Sequence, residues 1–176
     1  MSKPLILAFT LCSSLAAGCK KDPPTGAVAQ GTNPPLSISL LDGVVAQQVP
    51  IQIGGREIQA TIFPKDLGES GLFLCYYKLP NAAEDREARD AAINAEIDRC
   101  VANTGAEVLS RKTYPAADQP SVEVVAKSPK KMGHSIRCRV ICTGTEIQSL
   151  TAVTPDNQDV SHAQALDKMF EEFRAK

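Results

Sequence analysis

The chain has 176 residues, with 19 Lys and Arg against 20 Asp and Glu, and a formal net charge of −1 at pH 7. This balance predicts neither nucleic-acid nor polyanion binding, because both depend on an excess of basic residues. The chain has no Trp and only 5% aromatic residues, which argues against a stacking platform for sugars or bases. Its length suffices for one domain with a hydrophobic core.

The first 18 residues have the layout of a secretory signal. Lys3 stands near the start, an apolar run extends from Leu5 to Leu11, and small residues follow from Ser13 onward. The apolar segment covers about 14 residues, fewer than the ~20 that a helix needs to cross a bilayer. We therefore predict a signal peptide over 1–18 rather than a membrane-spanning helix.

The segment ends in Leu-Ala-Ala-Gly-Cys at 15–19, which resembles the lipobox of bacterial lipoproteins. In that family the bond before the cysteine is cut, and the cysteine becomes a lipidated N-terminus. The resemblance implies acyl chains such as palmitate on Cys19 and attachment to a membrane of the bacterial cell envelope. Lys20 follows the cysteine in place of Asp, which implies sorting to the outer membrane. The alternative is an ordinary secretory signal in which Cys19 is incidental.

Residues 20–35 are rich in Pro, Gly and small polar side chains, which cannot bury enough apolar surface to fold. We interpret 19–35 as the lipid-anchored cysteine with a flexible linker, and 36–176 as a single α+β domain. A linker of this length reaches at most about 50 Å when extended, so the domain can stand away from the membrane.

The first part of the domain has the patterns of β-strands. We predict strands at 36–40, 49–53, 56–63 and 72–77. Gly54 and Gly55 predict a tight hairpin between the second and third of these strands, because glycine tolerates the positive φ that such turns need. We predict a loop over 64–71. The strand at 72–77 is apolar on both faces, which favours a central position covered on both sides.

A helix is predicted next. Asn81 followed by Glu84 has the pattern of a capping box, and Gly105 marks the helix end. Charged pairs four residues apart support the helix, namely Asp85 with Arg89 and Arg86 with Asp90. Its apolar stripe consists of Ala92, Ile93, Ile97, Cys100 and Val101.

Strands and a closing helix complete the chain. The strands are predicted at 107–114, 121–127, 135–143 and 146–153, with a turn at Gly144 between the last two. Ser161 is predicted to cap the closing helix with Gln164 as its partner. The buried stripe of that helix is Ala163, Leu166, Phe170 and Phe173.

From Arg86 onward the order of elements resembles the PsbP-like group of small domains, which includes DcrB-like envelope lipoproteins. The matching segments are 89–101 with 104–105, 108–112, 121–126, 137–142, 151–153 and 169–174. The resemblance covers roughly the last half of the chain, and 44–80 loosely. It implies an antiparallel sheet of about six or seven strands flanked by helices, an α/β/α sandwich, and it implies no reaction.

Four cysteines remain after Cys12 leaves with the signal and Cys19 takes lipid. They are Cys75, Cys100, Cys138 and Cys142. An even number of cysteines in an exported domain predicts disulfides.

Cys138 and Cys142 stand four apart in a predicted strand, so they share a face about 13 Å apart and cannot bond each other. Two connectivities remain open. Either Cys75 pairs with Cys138 and Cys100 with Cys142, or the pairs are crossed. A zinc site and plain buried thiols are the alternatives to disulfides. Zinc is disfavoured because structural sites prefer closer cysteine pairs.

Nothing in the sequence predicts catalysis. The histidines, His134 and His162, have no acidic or cysteine partner at a meaningful spacing, and we find no nucleophile, phosphate-loop or metalloprotease motif. We predict no catalytic residue, no cofactor and no metal.

The predicted function is a non-catalytic interaction, accessory or assembly module that binds another envelope protein. A lipoprotein that binds a small ligand in a cleft between sheet and helix is the alternative. An envelope enzyme using His134 or Cys142, and a surface inhibitor or immunity protein, also stay open.

Overall fold

The structure is a computed structural model that describes residues 44–53, 55–79, 85–102, 105–114, 120–127 and 133–173. Within these ranges the elements are β1 (Gln47–Ile53), β2 (Arg56–Asp66), β3 (Gly71–Lys78), α1 (Arg86–Ala102), β4 (Glu107–Tyr114), β5 (Ser121–Lys127), β6 (His134–Cys142), β7 (Glu146–Pro155) and α2 (Val160–Glu172). The seven strands form one sheet in the order β1-β2-β3-β7-β6-β5-β4, and all neighbours are antiparallel. The predicted α+β class and antiparallel sheet are confirmed.

The predicted hairpin between β1 and β2 is present. Ile53 faces Arg56 across the turn, and Gly55 has a φ of +78°, which a residue with a Cβ rarely adopts. β2 continues further than predicted, because Lys65 and Asp66 pair with the start of β3. The loop predicted over 64–71 is therefore wrong at 64–66 and at Gly71, which belong to β2 and β3.

The two helices pack on opposite faces of the sheet. One face of the strands joins α1 in a core of Ile51, Ala60, Cys75, Tyr77, Ile93, Ile97, Val122, Val124, Cys138, Val140, Cys142 and Ile147. The other face joins α2 in a core of Phe63, Leu72, Leu74, Ile141, Leu150, Ala152, Leu166, Phe170 and Phe173. β3 contributes to both cores, as its double apolar pattern predicts.

α1 lies across several strands of the sheet. The helix contacts β5, β6 and β7, and it also contacts β1. Four strand spacings of about 4.8 Å separate β1 from β6, and α1 has 17 residues, a length of about 25 Å that is sufficient to reach across them. The side chains on the inner face of α1 are therefore packed against strands from both halves of the sheet.

The helix caps differ from the predicted ones. Asp159, not Ser161, caps α2, because its carboxylate accepts the backbone N–H of His162 at 2.8 Å. The Ser161 hydroxyl instead donates to Asp159 at 2.6 Å. At the start of α1 the Asp85 carboxylate accepts the N–H of Ala88 at 2.7 Å. The predicted capping box at 81–84 lies outside the described residues.

The signal peptide, Cys19, the linker and the predicted strand at 36–40 all lie outside the described residues. Among the residues that are described, neither helix is long and apolar enough to span a membrane.

Candidate functional site: a buried carboxylate beside a cysteine cluster

Glu96 lies fully buried at the centre of the α1 face, with 0% of its surface exposed. It stands three residues after Ile93 and next to Ile97, so the helical repeat places it on the apolar side of α1. The carboxylate accepts a hydrogen bond from the Ser149 hydroxyl at 2.5 Å and from the Tyr77 hydroxyl at 3.2 Å. These contacts join α1 to the two central strands β7 and β3.

Arg99 pairs with the same carboxylate from within the helix. Its Nε donates to one oxygen of Glu96 at 2.7 Å, and its Nη2 donates to the other at 2.6 Å. Burial alone would lower the pKa of Arg99, but the hydrogen bonds and negative charge of Glu96 outweigh it and raise that pKa. The pair is bidentate and largely shielded from water, so each partner compensates the desolvation of the other.

Three cysteines surround this ion pair. The Cys100 thiol lies 3.6 Å from Glu96 Oε1 and 3.7 Å from the Thr151 hydroxyl. The same hydroxyl lies 3.3 Å from the Cys138 sulfur. Cys75 lies on β3, directly opposite Ser149 on the neighbouring strand β7.

The environment of Cys75 and Cys138 keeps their thiols protonated. Burial, with the nearby charge of Glu96, raises the pKa of Cys75 far above its ordinary value. The contact with Cys100, followed by burial, raises the pKa of Cys138 as well. The thiolate is the nucleophilic and metal-binding form of cysteine, so neither thiol is activated for either role in the folded domain.

The strand order corrects the predicted pairing of Cys75. β7 lies between β3 and β6, and Cys75 is offset by two residues from both Cys138 and Cys142. Two strand spacings and two residues place each pair of Cα atoms roughly 11 Å apart, beyond the ~7 Å limit of a disulfide. Both predicted partners of Cys75 are therefore out of reach, and the structure contains no disulfide among the cysteines of the described residues.

Cys142 lies away from the other three. It shares a face of β6 with Cys138, as predicted, but four residues further along a continuous strand. The charges that act on it are those of Arg89 and Asp90 near the start of α1, and burial raises its pKa. Since Cys100 lies near the other end of α1, the predicted pairing of Cys100 with Cys142 is not met either.

A second polar network lies on the α2 face. Arg139 is 7% exposed and forms an ion pair with Glu123, with one contact at 2.8 Å. Its other donors reach the Phe170 and Phe173 carbonyls at the end of α2. Arg139 therefore joins β5, β6 and the carboxyl end of α2, where a cation is favoured by the helix dipole.

A cavity of about 150 Å³ lies between α2 and the sheet. Its lining residues are Val125, Ser135, Ile136, Arg137, Ala152, Thr154, Gln158, Ala163, Leu166, Asp167 and Phe170. Arg137 on the sheet and Asp167 on the helix form an ion pair that supplies its charged groups. Pockets for drug-sized ligands measure about 300–1,000 Å³, so this cavity is large enough only for an ion or a small molecule of roughly benzene size.

The histidines lie outside the cysteine cluster. His134 begins β6, about 13 Å along the strand from Cys138. His162 lies in the first turn of α2 on the opposite side of the sheet. Among the described residues, no group of three His, Cys, Asp or Glu side chains is placed to hold a metal ion. Comparison with known proteins finds no family model and no curated protein that matches this chain.

Sequence reasoning missed Glu96. The apolar stripe of α1 was predicted without it, although its spacing of three from Ile93 and four from Cys100 places it within that stripe. A carboxylate inside an apolar stripe, with Arg three residues later, is the signal that could have found it. Arg139 and Glu123 have a similar signal, because each is a charged residue with an apolar neighbour on both sides in its strand.

Proposed function

We propose that this chain is a lipid-anchored protein of the bacterial cell envelope, held by Cys19 in the outer membrane, with a domain that binds an extended acidic segment of another envelope protein. The lipobox-like sequence at 15–19 supports the anchor. The observation that carries the binding role is the exposed edge strand β4. The order of elements and the helices on both faces support a PsbP-like sandwich as the finer description of the fold.

β4 is exposed along nearly its whole length. Among the described strands it pairs only with β5, so one row of its backbone N–H and C=O groups has no strand partner there. Val108 and Leu109 are 46% and 60% exposed. A bulge interrupts the ladder between Val108 and Ser110. The regular part, 111–114, is the place where a further strand can add, with the apolar pair beside it.

The charges of β4 favour an acidic partner. Arg111 donates to Asn94 at 2.5 Å, and the Lys112 ammonium lies 4.7 Å from the Tyr114 ring centre. Neither forms an ion pair with any carboxylate of the described residues. An extended segment with Asp or Glu side chains would supply both backbone pairing and the missing negative charge.

The interior supports a non-catalytic role. Glu96 already accepts from Arg99, Ser149 and Tyr77, so its oxygens are committed to holding α1 on the sheet. The buried thiols nearby have raised pKa values, and a protonated thiol is a poor nucleophile. The most polar part of the core therefore serves to fix the position of the helix.

The alternative function is binding of a small ligand in the cleft between α2 and the sheet. The Arg137–Asp167 ion pair at the cavity favours a small polar molecule or ion. A ligand that binds only the folded state must raise the melting temperature. Thermal shift measurements with small anions, cations and zwitterions therefore test this alternative, and a reproducible rise that Arg137→Ala removes would support it over docking.

Photocrosslinking in the native host tests the docking proposal. A photoreactive amino acid is placed at Leu109 of the full chain, and at Val160 as a control, because Val160 is 72% exposed but lies on α2. We expect an adduct with one envelope protein from Leu109 and none from Val160.

Charge reversal then tests the acidic nature of the partner. Arg111→Glu with Lys112→Glu should abolish the adduct, because two positive charges of β4 become negative and repel an acidic partner. Lys168→Glu on α2 is the matched control, since its side chain is 77% exposed, and it should leave the adduct unchanged. An adduct that survives the double reversal, or forms equally from Val160, would contradict the proposal.

A further inference from the structure

Cys100 and Cys138 are the two cysteines that the fold brings together. The Thr151 hydroxyl lies 3.7 Å from the Cys100 sulfur and 3.3 Å from the Cys138 sulfur. Cys100 is also the group that contributes most to the raised pKa of Cys138. One sulfur belongs to α1 and the other to β6, which α1 covers.

Cys75 and Cys142 lie too far from Cys138 to pair with it. Cys75 lies two strands from Cys138, roughly 11 Å away between Cα atoms. Cys142 lies about 13 Å from Cys138 along the continuous strand β6. A disulfide needs Cα atoms within about 7 Å, so neither Cys75 nor Cys142 can pair with Cys138.

We propose that Cys100 and Cys138 form a single disulfide that ties α1 to β6, while Cys75 and Cys142 remain thiols. In this step both S–H bonds break and one S–S bond forms, with the release of two protons and two electrons. A disulfide-class oxidant, either a protein disulfide or oxidised glutathione, accepts them as its own S–S bond breaks to two thiols. The location of this oxidant rests on the proposed export, since such oxidants act outside the cytosol.

The bond forms before the core closes. Cys138 is 0% exposed, so an oxidant cannot reach it once α1 covers the sheet. Its thiol is also kept protonated there, whereas disulfide exchange requires the thiolate. The bridge is therefore a permanent staple made during folding, rather than a switch that responds to redox changes in the folded domain.

Trypsin separates the four cysteines, which makes the pairing directly readable. Cleavage after Lys and Arg places Cys75 in peptide 66–78, Cys100 in 100–111, Cys138 in 138–139 and Cys142 in 140–168. Any Cys12 and Cys19 that remain fall in 1–20. Each possible disulfide therefore gives a different linked mass.

The test is oxidative refolding of the full chain. Protein expressed with its own leader is extracted in detergent, reduced in urea, refolded with a mixture of reduced and oxidised glutathione, alkylated in denaturant and digested without reduction. We expect 100–111 linked to 138–139, with 66–78 and 140–168 alkylated. A link that involves 66–78 or 140–168, or alkylation of all four peptides, would overturn the proposal.

Two controls sharpen the result. Cys142→Ser should preserve the link, and its loss in that variant would contradict the pairing. Addition of oxidised glutathione to the chain after it has folded in the reduced state should form the link at least about tenfold more slowly than addition in urea. Equal rates would contradict the proposal that the bond forms before the core closes. An intact 1–20 peptide would show that the leader is retained and would contradict the proposed export. It would not affect the disulfide proposal, because the refolding mixture supplies its own oxidant.

Discussion

Replacement of Glu96 by Ala tests how strongly the buried ion pair holds α1 on the sheet. The change leaves the Arg99 guanidinium, whose side chain is 19% exposed, without its bidentate partner. It also leaves the Tyr77 and Ser149 hydroxyls without their acceptor. Loss of one partner from a buried pair costs about 3–5 kcal/mol, a large share of the roughly 5–15 kcal/mol that stabilises a typical domain.

The assay is urea unfolding followed by circular dichroism, under reducing conditions so that all variants have the same thiol state. With a slope of about 2 kcal/mol per molar urea, the midpoint should fall by about 2 M. Glu96→Gln keeps the shape of the side chain and one acceptor oxygen, so its urea midpoint should fall by less than that of Glu96→Ala.

Asp98→Ala is the matched control, since Asp98 is exposed on the same helix and its removal should change stability by no more than about 0.5 kcal/mol. Glu96→Ala combined with Arg99→Ala should cost less than the sum of the single changes, because the double variant no longer buries an unpaired charge. A Glu96→Ala midpoint equal to that of Asp98→Ala would refute the reasoning.

Three other predictions concern α2, its cap and the disulfide. Arg139→Ala should cost roughly 1.5–3 kcal/mol, because Glu123 keeps Arg137 as a partner but loses the buried hydrogen bonds of Arg139. The Phe170 and Phe173 carbonyls lose their donor as well, so hydrogen exchange should show faster opening at the end of α2; faster exchange confined to β6 would contradict this. Asp159→Ala should lower the melting temperature at pH 7. The Ser161 hydroxyl and the His162 N–H lower the pKa of Asp159 below its ordinary 3.8. The stability that the Asp159 carboxylate contributes is therefore complete above about pH 4 and is lost as the pH falls through the lowered pKa. A difference in melting temperature between wild type and Asp159→Ala that stays constant down to about pH 2 would rule this out. The free energy of unfolding of the oxidised wild type should exceed that of Cys138→Ser by about 4 kcal/mol, because the Cys100–Cys138 bridge closes a loop of ~38 residues. Equal urea midpoints under oxidising conditions would show that no bridge contributes to stability.

Local patterns in the sequence predict most of the elements. The strands predicted at 107–114 and 121–127 have the observed bounds of β4 and β5, and the glycine pair at 54–55 predicts the β1–β2 hairpin. These elements depend on side-chain alternation and on turn residues, which are local properties. The prediction of Ser161 as the cap of α2 was wrong because Ser161 and Asp159 are both good capping residues, and only the backbone geometry shows which one accepts the N–H.

The candidate site depends on long-range order, which local patterns do not contain. The insertion of β7 between β3 and β6 separates Cys75 from both predicted partners, and nothing in the spacing of the cysteines indicates that strand order. Glu96 was missed for a different reason. A helical stripe is recognised by its apolar members, so a carboxylate within it is assigned to the solvent until its buried partners are known.

The intact mass of the protein from membranes of its own host tests the central claim most directly. The account predicts a chain that begins at Cys19 and carries a diacylglyceryl group, so that the mass exceeds that of residues 19–176 by the lipid. A chain without lipid, whether it retains 1–18 or begins elsewhere, would contradict the anchor and with it the proposed place of the protein in the cell envelope.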